Sequence, residues 1–323
     1  MLGLILLLQS LTIAVSGPPT SPEYLPLRLA AAEGYFADAG LAVTLRSTRA
    51  DAGAAEALAQ QQVDLAATSV EAALRFGAAK TGEAPRIVFG LTAAPPVVLA
   101  VPASFGQTTR SVADLAGSVV GISSPGAPEQ TWFQALLARA DLRLTQVSLT
   151  SYGERALAGA LASGRVRAGL IGDPPASRLL ADGSVTALVD FRDPQASARA
   201  LGRPTVHAAV FESARHRVPD VQVEAVSRAL LRAVSRLETA GADEVAERLP
   251  RQEVGLSDDF AVRLAGSRKI YLPQGLVEPG ALAASIDIVR EHVPLPRVLR
   301  VPPIAEMLRL GPLRHVLTPA GAR

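Results

Sequence analysis

Short apolar runs alternate with segments of helical period along most of this chain. Runs at 11–16, 41–45, 63–67, 87–91, 97–101, 119–122, 146–150, 168–171, 187–190 and 205–211 predict buried strands. Between them, 22–33, 51–61, 70–79, a segment ending near Arg139, 153–163 and 174–181 predict helices. Ser21 followed by Pro22 reads as a helix start, and Gly34 and Gly40 read as stops. From Asp220 onward the pattern is mainly helical. Val226, Leu230, Val234 and Leu237 recur on one face, as do Leu282, Ile286, Val289 and Val293. Pro294 and Pro296 break that pattern, and the tail to Arg323 reads as irregular.

One unit is written twice. Residues 57–66, ALAQQQVDLA, correspond to residues 160–169, ALASGRVRAG. In each, a small-residue helix ends in a polar turn and an apolar strand follows. Each strand runs into a loop, Thr68-Ser69 in one copy and Gly172-Asp173-Pro174-Pro175 in the other. A repeated strand–helix–strand unit implies two similar α/β lobes. Loops leaving such strands face each other across a cleft, where open α/β sheets bind ligands. The expected division is a first lobe from 10–95 plus 205–323 and a second lobe from 97–204. Crossover strands at 97–101 and 205–211 would form the hinge.

Composition narrows the function. At 49% hydrophobic and 19% charged residues, the 323-residue chain is globular. Lys80 and Lys269 are its only lysines, the formal charge is +2, and the arginines are scattered without aromatic interleaving. That argues against a nucleic-acid footprint. The chain has no cysteine, which removes disulfides, thiolate metal sites and cysteine nucleophiles. Residues 2–8 are apolar apart from Gly3. They resemble the core of a secretory signal, but without a basic n-region or a small-x-small cleavage site. The alternatives are a buried first strand with an extension, or a recorded start that is internal to a longer leader. The run is too short to span a bilayer.

The segment SPEYLPLRLAAAEGYFADAGLAVTL, residues 21–45, resembles the opening of the nitrate/sulfonate/taurine-type periplasmic solute-binding proteins, a family that includes pyrimidine-precursor binders and serves ABC importers. The shared pattern is Pro26, then Gly34-Tyr35-Phe36, Gly40 and the strand from Val43. The resemblance continues at Ala57–Asp64 and through Asp114-Leu115-Ala116-Gly117-Ser118-Val119-Val120-Gly121, with Ser118 where lysine is usual. Arg167 stands where the family usually has aspartate, and Gly172-Asp173-Pro174 where it often has an acidic-Pro pair. It implies a two-lobe α/β periplasmic-binding-protein fold of type II, each lobe a sheet flanked by helices.

The implied function is capture of a small anionic organic solute between the lobes and its delivery to an ABC permease in the inner membrane. The protein would be exported to the periplasm, monomeric, without a cofactor and not an enzyme. A pyrimidine-precursor binder, or a soluble enzyme or sensor on the same fold, is the alternative. Catalytic motifs are missing: His207, His216, His292 and His315 are isolated, and there is no G-x-S-x-G elbow or dinucleotide fingerprint.

The candidate site follows from helix ends, whose free N–H groups hold anions. Ser123, Ser124, Gly126 and Ala127 lie between a strand and a helix on the second lobe, and Gly126 has no Cβ to obstruct a ligand. Thr68 and Ser69 have the same place on the first lobe, unless they merely cap the helix that follows. Ser21 and Tyr24, with Thr20, would form a third wall. Asp173 would accept from a ligand amine, close the cleft through a charge pair or cap the helix after it, and Trp132 reads as a core residue. Positive charge would come from Arg28, Arg46, Arg49 or the helix ends.

Overall fold

The computed structural model describes residues 9–78, 82–124 and 127–318. The apolar run at 2–8 and Gly126 lie outside them. The first half begins with β1 (Gln9–Val15), α1 (Leu25–Ala32), α2 (Tyr35–Asp38) and β2 (Leu41–Ser47). It continues with α3 (Asp51–Ala59), β3 (Leu65–Ser69), α4 (Val70–Arg75) and β4 (Arg86–Thr92). Next come β5 (Val97–Pro102), β6 (Val119–Ile122), α5 (Glu129–Arg139), β7 (Ser148–Ser151), α6 (Glu154–Ala162), β8 (Ala168–Gly172), α7 (Pro175–Ala181) and β9 (Val185–Asp190). After α8 (Pro194–Leu201) and β10 (Ala208–Glu212) the chain is helical: α9 (Asp220–Thr239), α10 (Ala242–Ala246), α11 (Arg251–Val254), α12 (Ser257–Ser267), α13 (Pro279–His292), α14 (Ile304–Met307) and α15 (Gly311–Leu317).

The strands form two five-stranded sheets, ordered β2-β1-β3-β10-β4 and β7-β6-β8-β5-β9. In each, three parallel strands are followed by one antiparallel to its neighbours, β10 in the first sheet and β5 in the second. The sheets therefore share one topology, and each contains a strand reached by a crossover: β4 leads into β5, and β9 leads through α8 into β10.

The sequence repeat sits at equivalent places, α3 to β3 and α6 to β8. Backbone detail repeats with it. Gln62 N–H donates to Ala57 O and Arg165 N–H to Ala160 O, both at 2.9 Å. The residue before each donor has positive φ, 56° at Gln61 and 67° at Gly164. Both copies thus close their helix with a left-handed residue that satisfies a terminal carbonyl. Alanines let α3 lie close on its strands: Ala54, Ala55, Ala57 and Leu58 are buried.

One large apolar cluster joins the first sheet to α1, α9, α13 and α15, and the second sheet carries a cluster on each face. The apolar stripe of α9 is buried as its period requires. One helix was not anticipated, and one expectation needs correction. The segment after β9 contains α8, started by Asp193, whose carboxylate accepts from the N–H groups of Gln195 and Ala196, with Pro194 next. The tail is not irregular: α14 and α15 bury Met307 and Leu313, and Leu310 between them is buried too. Arg309 there bonds the buried carboxylate of Glu212 on β10. Among the described residues, no helix is long and apolar enough to cross a membrane.

Candidate functional site

Loops from the carboxyl ends of parallel strands in both sheets enclose a cavity of about 420 Å³. From the first sheet come Pro18 and the Thr20–Glu23 stretch after β1, His207 just before β10, and Asp259, Arg263 and Ser267 on α12. From the second come Ser123 and Ala127 to Glu129 after β6, and Ile171 to Pro175 from the end of β8 onward. The crossover residues Pro95, Pro96 and Val97 close the floor. An ion pair between Arg178 on α7 and Asp259 on α12 spans the two sides. Outside the lining, Thr131 on α5 donates to Glu71 on α4 at 2.7 Å, a second bond between the two sides.

Of the anticipated residues, Ser21, Ser123, Ala127 and Asp173 line this cavity; Tyr24, Thr68, Ser69 and Ser124 do not. The Tyr24 ring is buried and its hydroxyl donates to Asp51 Oδ1 at 2.8 Å, so it packs rather than stacks on a ligand. Thr68 Oγ1 donates to the Asp51 carbonyl at 2.9 Å. Ser69 Oγ accepts from Ala72 N–H at 3.2 Å, and Val70 N–H donates to the His207 carbonyl at 2.8 Å. That helix end is consumed internally. Ser124 is exposed beside the lining. Ser123 Oγ donates to Glu129 Oε1 at 3.0 Å.

Asp173 does two things at once. Its Oδ1 accepts from Ser177 N–H at 2.9 Å, capping α7, and its Oδ2 accepts from Arg192 Nη1 at 2.8 Å. Gly266 on α12 packs directly over it: a Cβ there would lie 1.9 Å from Asp173 Oδ2. The three candidate arginines are elsewhere. Arg28 is buried against Glu253 at 3.7 Å, Arg46 donates to Gln62 Oε1 at 2.9 Å, and Arg49 is exposed. Trp132 is buried in the second lobe's core cluster, and one edge meets the His207 ring at 5.9 Å between centroids.

Glu23, Glu129, His207, Asp259 and Arg263 were not anticipated. Burial pushes the Glu23 carboxyl up to about 8, with repulsion from Asp51 and Glu129 adding to it against a bond from its own backbone N–H. Burial drives His207 down to about 4, with Asp51 opposing. The 3.9 Å approach of His207 Nε2 to Glu23 Oε1 is therefore no ion pair at neutral pH, because the imidazole is neutral and the carboxyl mostly protonated. Arg263 is lowered by burial while Asp259 and Asp173 pull it back. Arg192, desolvated but held by Asp190 and Asp173, stays above its ordinary value. The lining is thus acidic. A signal existed for Glu129, since an acidic residue suits the first turn of a helix, but none marked His207, which only the crossover brings to the floor. Among the described residues, no group of three or more His, Asp or Glu could hold a metal ion.

Comparison with curated proteins finds no match. Solved structures share the fold. A protein from Bordetella bronchiseptica RB50 is 24% identical with a TM-score of 0.73, over 95% of this chain and 96% of that one. The alkanesulfonate-binding protein SsuA from Xanthomonas axonopodis pv. citri, bound to MOPS, is 20% identical with a TM-score of 0.65, over 94% and 98%. The periplasmic nitrate-binding protein NrtA from Synechocystis PCC 6803 is 11% identical with a TM-score of 0.61, over 96% and 88%. The two-sheet α/β architecture is that of the two-lobe periplasmic binding proteins. A family model described as NMT1/THI5 like matches residues 21–234, from the loop that enters the cavity into α9, and the chain belongs to the NMT1/THI5-like family.

Proposed function

We propose that the protein is the solute-capturing component of an ABC-type importer. It works outside the cytoplasmic membrane as a monomer and hands a small molecule to a permease. The observation that carries this reading is one cavity walled by equivalent loops of two sheets with the same topology. Similarity to proteins described as binding alkanesulfonate and nitrate supports it. In this reading residues 10–95 and 205–323 move as one lobe and 97–204 as the other. Bending falls on the β4–β5 link and the segment from α8 into β10. Closure buries the solute between lobes, and the closed form is what a permease recognises.

The test uses the single tryptophan. Trp132 touches His207, which lines the cavity, so a bound solute changes its surroundings. A true solute raises the melting temperature, by about 2.7 kcal/mol of stability at a hundredfold excess over Kd. It also shifts Trp132 emission and is recovered chemically unchanged. Conversion of the stabilising solute to a product, or stabilisation with unaltered emission, refutes the reading.

A further inference from the structure

We propose that the cavity selects a small organic cation bearing N–H donors, a primary amine or guanidine, over an oxyanion. This rests on the reading of the cavity as a solute site and adds the solute's charge and donor chemistry. Glu23, on the loop after β1, and Glu129, in the first turn of α5, bring carboxyl groups into one cavity from opposite sheets. They lie close enough for Glu129 to raise the energy of ionised Glu23. An ammonium between them relieves that repulsion and offers three donors, while a sulfonate or carboxylate adds to it.

A second observation is the His207 side chain. It is only 3% exposed, lines the cavity and makes no hydrogen bond, since 3.9 Å to Glu23 is too long for one. An imidazole this enclosed, without a hydrogen bond and opening on the cavity, points to a ligand group that supplies one. As a neutral imidazole it offers one donor and one acceptor, which suits an N–H ligand without demanding an anion.

Among the described residues, the arginines beside the cavity and the start of α4 are already committed. Arg263 donates to the Val254 carbonyl and faces Asp259 and Asp173. Arg192 is held by Asp173, Asp190 and Ser177, each at 2.8 Å for its shortest bond. The start of α4 is closed by Ser69 and the His207 carbonyl, and α5 begins with Pro128, which has no N–H, and then Glu129. The remaining walls are prolines, aliphatics and the small polar residues Thr20, Ser21, Ser123 and Ser267, and among the described residues His207 is the only aromatic ring, so a quaternary ammonium has no aromatic cage.

Binding such a cation displaces the proton that Glu23 holds in the empty protein. The titratable groups facing Glu23 are Asp51, Glu129, His207, Tyr24 and Tyr271. Burial keeps both tyrosines protonated, and His207 titrates near 4, so neither kind of group ionises around pH 8. Amine affinity therefore weakens about tenfold per pH unit as the pH falls below the Glu23 value near 8.

The experiment measures binding to the full chain of agmatine, butylamine and propylguanidine against butanesulfonate, butyrate and nitrate, by calorimetry and Trp132 emission. At least one cation is expected to bind, with affinity rising from pH 6 to pH 8.5 and a proton released. Glu23→Gln and Glu129→Gln, which keep shape, should each weaken it by about 10–100-fold, and Glu23→Gln should flatten the pH slope. Circular dichroism checks folding. Binding of an anion with no cation bound overturns the charge inference but leaves the capture reading standing, as does cation binding indifferent to both substitutions. Chemical conversion of a bound probe overturns the capture reading instead.

Discussion

Arg309→Met removes the guanidinium that faces Glu212, a side chain with no solvent exposure on β10, between β3 and β4 of the first sheet. Arg309 bonds Glu212 Oε2, and its other nitrogen donates to the Val218 carbonyl at 2.8 Å. Glu212 otherwise receives only Val218 N–H at 3.2 Å, and its Oε1 has no partner. Methionine keeps most of the stem's packing, so the loss is chiefly an unpaired buried carboxylate, ~3–5 kcal/mol. The double variant with Glu212→Gln removes both charges and should lose ~2 kcal/mol or less, so the single change is worse than the double. Burial raises the Glu212 carboxyl above its ordinary value while Arg309 pulls it down. A raised folded-state value means the native state holds the proton more tightly, so native stability gains as pH falls toward that value. Without Arg309 the value climbs further, and the variant's deficit should narrow as the pH falls from neutrality toward the ordinary carboxylate range. The assay is urea unfolding followed by circular dichroism and Trp132 emission, whose coincidence tests two-state behaviour. A double variant as unstable as the single one, or a deficit independent of pH, refutes the reasoning.

Two further changes test the fold's close contacts. Gly275→Ala places a methyl 2.4 Å from the Phe89 ring at φ +66°, and should cost about 2–4 kcal/mol in urea unfolding; a loss under about 0.5 would show that the loop simply shifts. Asp173→Asn leaves Arg192 with Asp190 and Ser177 but weakens the bond to position 173, and should lower stability by ~1–3 kcal/mol; a neutral result in thermal melts would mean that Asp190 and Ser177 together satisfy the guanidinium.

Much of the architecture was legible because it is written in local chemistry. Apolar runs of strand length, small-residue helices and polar turns fixed most elements, and the 57–66 and 160–169 copies revealed the duplicated sheet plan. The Asp193-Pro194 start of α8 was equally local and was passed over amid the polar residues around it. The tail was misread because its prolines break any period. Its order comes from burial of Met307, Leu310 and Leu313 and from the bond between Arg309 and Glu212, 97 residues earlier in the chain. The site was less legible for a similar reason. Whether Ser69 caps its own helix or faces a ligand depends on where the His207 carbonyl arrives to take up Val70 N–H. Arg28 looked available until Glu253 approached it from α11.

His207 shows why both crossovers bear on binding. Its carbonyl accepts from Val70 at the end of β3, and its N–H donates to the Thr92 carbonyl at the end of β4, both at 2.8 Å. Its ring meets Trp132 on α5, an element of the second sheet. Pro95, Pro96 and Val97, on the other crossover, line the same floor. The strands that each sheet gains through a crossover therefore begin at the cavity itself. In the capture reading, a solute on that floor touches the two segments that must bend, so contact and closure are coupled without an intervening chain of residues. A ligand shifts an equilibrium only by its difference in affinity for the two states, and a group placed on the bending segments is where such a difference is largest. Glu23 would add to this from the loop after β1, because a cation bound there as proposed is also attracted by Glu129 of the opposite sheet.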